Sequence, residues 1–178
     1  MKQIVAIVVM LLLGSLLGCN NSDNELKSHK PLSKKRLQEA FIYANKSAIR
    51  VESEMIDNYI ERHQWEMKQS LSGLRYSIYS KGEGRRAEKG LVCKLKYTIG
   101  LLDGSICYSS EEDGYKEFVI GKGNVVSGLE EGILLMAVGD KAVFVIPSHL
   151  AYGLIGDQDK IGSKASLVYN VELLELGE

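Results

Sequence analysis

Apolar residues recur along this chain with two different periods, and the change of period separates its elements. Leu37, Phe41, Ala44, Ala48, Val51 and Met55 follow one another at alternating intervals of four and three, with Ile42, Ile49 and Ile56 alongside. This spacing predicts an amphipathic helix of about 30–35 residues starting near Pro31 and Ser33, either continuous or broken near Ser53. Its stripe calls for a cover, which its own domain, a second copy or another protein could supply. Beyond Gly73 the period falls to two. Leu74–Tyr79, Leu91–Ile99, Phe118–Ile120, Ala142–Ile146 and Leu167–Leu173 read as strands, the fourth stopped by Pro147. Leu91, Cys93, Leu95 and Tyr97 share one face, as do Leu167, Tyr169, Val171 and Leu173. Between the strands, Leu129, Ile133 and Met136 return to helical spacing over residues 128–137. Ser127 and Glu130 suggest a capping box, and Gly139 a left-handed end. Strands flanking one short helix predict an α+β fold: a twisted antiparallel sheet wrapped around that helix, preceded by a helical arm.

The first eighteen residues have a different character. Lys2 precedes an almost unbroken apolar run from Ile4 to Leu13, shorter than the ~20 residues of a spanning helix. Leu16-Leu17-Gly18-Cys19 resembles a bacterial lipobox, which makes residues 1–18 a lipoprotein signal peptide and Cys19 the lipidation site. Residues 19–32 are polar and aperiodic, as in a flexible tether. The division expected is therefore signal peptide 1–18, tether 19–32, helical arm 33–70 and main domain 73–178. The expected location is the bacterial cell envelope, on the periplasmic side or the cell surface, with the folded part in water.

Composition mainly excludes. The 22 basic and 23 acidic residues are interleaved and leave a formal charge of -1, which argues against a nucleic-acid surface. No G-x-S-x-G elbow, phosphate loop, dinucleotide loop or metal-ligand spacing occurs, so neither a nucleophile, a cofactor nor a metal is expected. The acidic run Ser109–Gly114 reads as a solvated loop, and His63 as structural or solvent-facing rather than a metal ligand. Trp65 reads as an anchor for the arm. Cys93 and Cys107 lie out of register across the turn at Leu102-Asp103-Gly104, so they read as small buried hydrophobes rather than a disulfide.

Four segments together carry a specific resemblance: YTIGLLDG (97–104), VVSGLEEGILLMAVGDKAVFVIP (125–147), LAYG (150–153) and SLVYNVELL (166–174). From Gly73 to Leu176 the chain resembles the FKBP-type peptidyl-prolyl cis-trans isomerases. The arm is similar to that of bacterial lipoprotein members, including a gliding-motility-associated subgroup. The resemblance implies an FKBP-like fold and an isomerase acting on proline-containing polypeptides, without a cofactor. Its alternative is a non-catalytic chaperone or binding module in an envelope assembly; a homodimer through the arm also stays open. Tyr152, Val126, Tyr97 and Tyr169 are the catalytic positions it implies, with the Tyr152 hydroxyl donating to the substrate carbonyl and the Val126 backbone bonding the peptide. Phe118, Val125, Leu129, Ile161, Cys107 and Tyr108 are the implied substrate-binding positions. Leu129 stands where the family has tryptophan, Cys107 replaces phenylalanine and Tyr108 replaces aspartate. Tyr169 takes a phenylalanine position, and Gly162-Ser163 replaces Pro-Pro.

Overall fold

A computed structural model describes residues 33–178. The expected signal peptide, the expected lipidation site Cys19 and the expected tether lie outside those residues. By its contacts the chain divides after Ala40, and the account below concerns residues 41–178. Helix α1 (Lys34–Arg62) is continuous through Ser53. The strands are β1 (Lys68–Gln69), β2 (Arg75–Ser80), β3 (Val92–Leu101), β4 (Ile106–Ser109), β5 (Lys116–Val119), β6 (Lys141–Ile146) and β7 (Leu167–Gly177). Two short helices, α2 (Ser110–Asp113) and α3 (Ser127–Ile133), interrupt them. The antiparallel seven-stranded sheet runs β1-β2-β6-β7-β3-β4, with β5 also paired to β3. The β4 and β5 strands share one edge of β3, opposite Thr98–Gly100 and Val92–Leu95 respectively. At the centre β3 and β7 pair from Val92↔Gly177 to Leu101↔Leu167.

The period-two reading explains how this sheet is covered. On one face Ala142, Phe144 and Ile146 of β6 and Leu167, Tyr169, Val171 and Leu173 of β7 join α3 in the main core. On the other, Val143, Val145 and Val168 bury Ile56 and Tyr59 of α1. Burial on both faces is why β6 reads as a continuous apolar run. Trp65 packs in this second cluster, edge-on to Tyr59 at 5.7 Å between ring centroids. The His63 ring nitrogen lies 2.8 Å from the Tyr59 carbonyl oxygen, so the residue serves structure.

Several expectations are corrected. The arm ends as a helix at Arg62, and residues 68–69 already belong to the sheet. Only the last third of its stripe is covered: Phe41, Ile42, Ile49, Val51 and Met55 remain exposed. Helix α3 stops at Ile133, short of 137, and its N-cap is Val126, without a side-chain cap. Ser127 instead donates to the Leu150 carbonyl, and Glu130 accepts from the Gly123 N–H. The capping box is lost because both side chains meet neighbouring loops first. Gly139 is left-handed (φ +90) but belongs to the turn before β6, where its N–H donates to Leu173. The acidic loop is a helical turn, α2, because Ser109 caps it by accepting from Glu112 while Asp113 accepts from the Ser109 N–H. One expectation stands: Cys93 and Cys107 are buried and free, with Cys93 opposite Phe118 of β5 and Leu176 of β7 in the ladders rather than β4.

Helix α3 lies on β6 at glycine distance. A Cβ at Gly132 would stand 2.6 Å from the Phe144 ring, and one at Gly128 would collide with Ile146. Gly132→Ala is therefore expected to lower stability by about 1–3 kcal/mol, the range for overpacking. At an exposed helical site the same change stabilises by roughly 1 kcal/mol. An increase in the urea midpoint would contradict the packing described here.

Candidate active site

The residues singled out from sequence arrive from seven places in the chain. Tyr97 lies on β3, Cys107 and Tyr108 on β4, and Phe118 on β5. Val125 and Val126 precede α3, which holds Leu129. Tyr152 and Ile161 sit in the loop between β6 and β7, and Tyr169 lies on β7. The fold gathers them. Tyr97, Cys107, Phe118, Leu129, Ile161 and Tyr169 belong to one contiguous buried cluster, with Tyr108, Val125 and Val126 packed against it. Tyr152 is the exposed member at 36 %, yet its phenol is near enough that its ionisation would disfavour that of Tyr97 and of Tyr169. Tyr97 and Tyr169 therefore share the buried cluster, and Tyr152 follows Ala151, which packs against it. Leu129 is fully buried and offers no surface of its own, so it supports that cluster from beneath.

Electrostatics keep these groups neutral. Burial is the main cause pushing the Tyr97, Tyr152 and Tyr169 phenols above their usual range. All three remain O–H donors at any ordinary pH. The thiols are raised too: Cys93 to about 11 by burial, and Cys107 by burial and then by the carboxylates of Asp157 and Asp103. Neither thiol ionises readily, so neither is an activated nucleophile. No group of three or more His, Cys, Asp or Glu among the described residues could hold a metal ion. The Val126 N–H donates to no protein acceptor among them, while its carbonyl accepts from Leu129 and Glu130 at 3.0 and 3.3 Å.

Asp157 was not singled out from sequence. It organises the loop that carries Ile161: one carboxylate oxygen accepts from the N–H groups of Asp159 (2.9 Å) and Ile161 (2.8 Å), and the other from the Tyr108 hydroxyl at 2.5 Å. Lys160 places its ammonium 4.9 Å from the centre of the Tyr108 ring. Partial burial works to raise the Asp157 carboxyl, and the hydrogen bonds from Tyr108, Asp159 and Ile161 outweigh it, so the net shift is downward. The available signal was Gly156-Asp157-x-Asp159, an aspartate able to bond the backbone two residues on. Along α1 lies a separate apolar groove of about 940 Å³, lined by residues including Ala48, Met55, Leu102, Leu154 and Ala165.

A carboxyl held low in the folded state stabilises it above the ordinary Asp value, and that contribution disappears as pH falls through the folded value. Tyr108→Phe removes one of the bonds responsible. Carboxyl-carbon NMR is expected to show Asp157 titrating at higher pH in the variant. The stability gap between the two proteins should narrow in acid; an unmoved titration would mean the bond does not form.

Comparison with known proteins converges on the same segments. The family model for FKBP-type peptidyl-prolyl cis-trans isomerases matches residues 83–174. A probable FKBP-type peptidyl-prolyl cis-trans isomerase, FkpA, of Neisseria meningitidis is 38% identical over 111 residues, covering 62% of this chain and 40% of the relative. The chain thus spans less than half the length of that relative. FK506-binding protein 2 of Dictyostelium discoideum is 40% identical over 90 residues, covering 50% of this chain and 68% of that protein. The crystal structure of AtFKBP13 superimposes with a TM-score of 0.60 at 32% identity, covering 62% of this chain and 98% of that one. The family match takes in more than half the chain, including β3 to β6, most of β7 and helix α3, and on that ground the chain belongs to the FKBP-type peptidyl-prolyl cis-trans isomerase family.

Proposed function

We propose that this protein is a peptidyl-prolyl cis-trans isomerase acting on proline-containing polypeptides of the bacterial envelope. The observation that carries this reading is the gathering of Tyr97, Phe118, Ile161 and Tyr169 into one apolar cluster, against which Val126 and the Ala151 that precedes Tyr152 are packed. Rotation about an X-Pro bond faces a barrier of ~20 kcal/mol from amide resonance, while cis and trans differ by only about 1 kcal/mol. No bond is made or broken, so the reaction asks only for a surface that prefers the twisted amide to the planar one. An apolar surface poor in water does so, because the twisted amide has lost its resonance dipole. Tyr152 donates to the carbonyl of the bound peptide and the Val126 N–H fixes the chain beside it. Phe118, Val125 and Ile161 line the prolyl ring, with Cys107, Tyr108 and Leu129 behind them.

A second reading keeps the fold and the groove without useful turnover, as a chaperone or binding module in an envelope assembly. Cys107, Tyr108 and Leu129 favour it, since each departs from the family's pocket pattern. The two readings separate at Tyr152. For an isomerase, Tyr152→Phe should lower kcat/KM about tenfold in a protease-coupled proline-peptide assay, the loss expected for one well-placed donor. Because the phenols are raised above their usual range, wild-type kcat/KM should stay level from about pH 6 to about pH 9. For a binding module, the wild-type chain shows no turnover, and suppression of client aggregation survives the change.

The reading also places the protein at a membrane by a lipid on Cys19, with the exposed α1 stripe as a self-association surface. No helix among the described residues is long and apolar enough to cross a membrane. Cys19→Ser should move the protein from the membrane to the soluble fraction on cell fractionation. The released form should sediment at twice the chain mass. Retention in the membrane removes the lipid anchor, and a monomer removes the dimer.

A further inference from the structure

The geometry points to Glu52 of α1 as a positioning residue for the active-site loop, latching both of its ends at once. This rests on the isomerase reading above. The loop runs from Ser148 to Ser166 and carries Tyr152, Asp157 and Ile161. At its start, one Glu52 oxygen accepts from the Ser148 N–H at 2.6 Å and the other from the Ser148 hydroxyl at 3.1 Å. At its finish, the first oxygen also accepts from the Ser166 hydroxyl at 2.7 Å. One carboxylate therefore clamps two points eighteen residues apart in sequence.

The clamp reaches Tyr152 through the backbone. The Ser148 carbonyl accepts from the N–H groups of Ala151 (3.0 Å) and Gly153 (2.9 Å), the two residues that flank Tyr152. The Gly153 carbonyl in turn accepts from Lys164 at 2.7 Å, closing the loop near its far end. The peptide unit that Glu52 holds by its N–H thus adjoins the carbonyl that fixes the Tyr152 turn. Without the carboxylate, Ser148 and Ser166, both nearly buried, lose their acceptor and the loop its fixed ends. Among the described residues Glu52 makes its hydrogen bonds to Ser148 and Ser166, so its effect on turnover passes through the placement of Tyr152.

α1 itself is fixed by a second, independent contact. The Arg75 guanidinium, beneath the helix, bonds Ser53 at 2.6 Å and Asp57 at 3.0 Å. The stretch of α1 from Glu52 to Asp57 therefore brings Glu52 to the loop as part of a fixed seat.

The test uses the full chain with Glu52→Ala, Glu52→Gln and wild type side by side in the proline-peptide assay. Glutamine can still accept from the Ser148 N–H and Ser166 hydroxyl through its carbonyl, so it is the conservative variant. The alanine variant, folded by circular dichroism, should lose about tenfold in kcat with KM changed less than about twofold. The glutamine variant should stay within about threefold of wild type. Amide exchange at Ala151 and Gly153 should accelerate about tenfold in the alanine variant while β3 and β7 amides do not change. Wild-type kcat in the alanine variant, or an equal loss in both variants, overturns the assignment. If the wild-type chain shows no turnover, the isomerase reading falls, and amide exchange alone then decides the latch: accelerated exchange at Ala151 and Gly153 upholds it, and unchanged exchange ends it.

Discussion

Helix α3 lies so close to β6 that its facing residues can have no side chain. Gly128 sits over Ile146 and Gly132 over the Phe144 ring, and a methyl group at either position would need the strand to retreat. Glycine is normally a poor helix residue, by roughly 1 kcal/mol relative to alanine. Here the loss in propensity is offset by contact between helix backbone and sheet, which brings Leu129, Ile133 and Met136 into full burial. Phe144 pairs across the ladder with Tyr169, so the ring that receives Gly132 also backs one of the three phenols. The close approach sets the depth of the cluster on which the site stands.

The other face of the sheet is held differently. Ile56 and Tyr59 supply apolar cover over Val143, Val145 and Val168, but that seam has little to fix the helix along its axis. Polar groups do so. Arg75 is only 5% exposed and makes hydrogen bonds to Ser53, Asp57 and Gly73, and Glu52 takes three more from Ser148 and Ser166. Such groups are costly to desolvate when unpaired, and no sealed side-chain polar atom among the described residues lacks a partner. Their directional bonds fix α1 in one register against the sheet, which apolar contact alone does less well.

The departures from the family pattern look different once their neighbours are known. With tyrosine at position 108, where the resemblance implies aspartate, β4 offers no acidic acceptor there. An acid is present after all, supplied by the loop: Asp157 accepts from Tyr108 and from two backbone N–H groups. The Tyr108 hydroxyl thereby ties β4 to the loop by a hydrogen bond to Asp157. With Gly162-Ser163 in place of two prolines, the loop relies on such bonds for its shape.

The sequence by itself determined the elements whose pattern is strictly local or strictly alternating. The strand faces of β3 and β7, the stop at Pro147 and the long helix beginning near Ser33 were all legible, because period and turn chemistry follow from the backbone. Most of the residues that the family resemblance implied also gather in one buried cluster, although they come from separate segments. Tertiary structure decided what side chains do when a distant segment offers a better partner. Ser127 and Glu130 abandon the capping box for Leu150 and Gly123, and the acidic run folds into a capped turn. Glu52 and Asp157 were not among the residues named from sequence. Glu52 stands one turn before the buried Ile56, on the face that meets the sheet, but only the fold shows that two serines far along the chain converge there. A hydrogen bond between residues nearly a hundred positions apart leaves no periodic trace in the sequence.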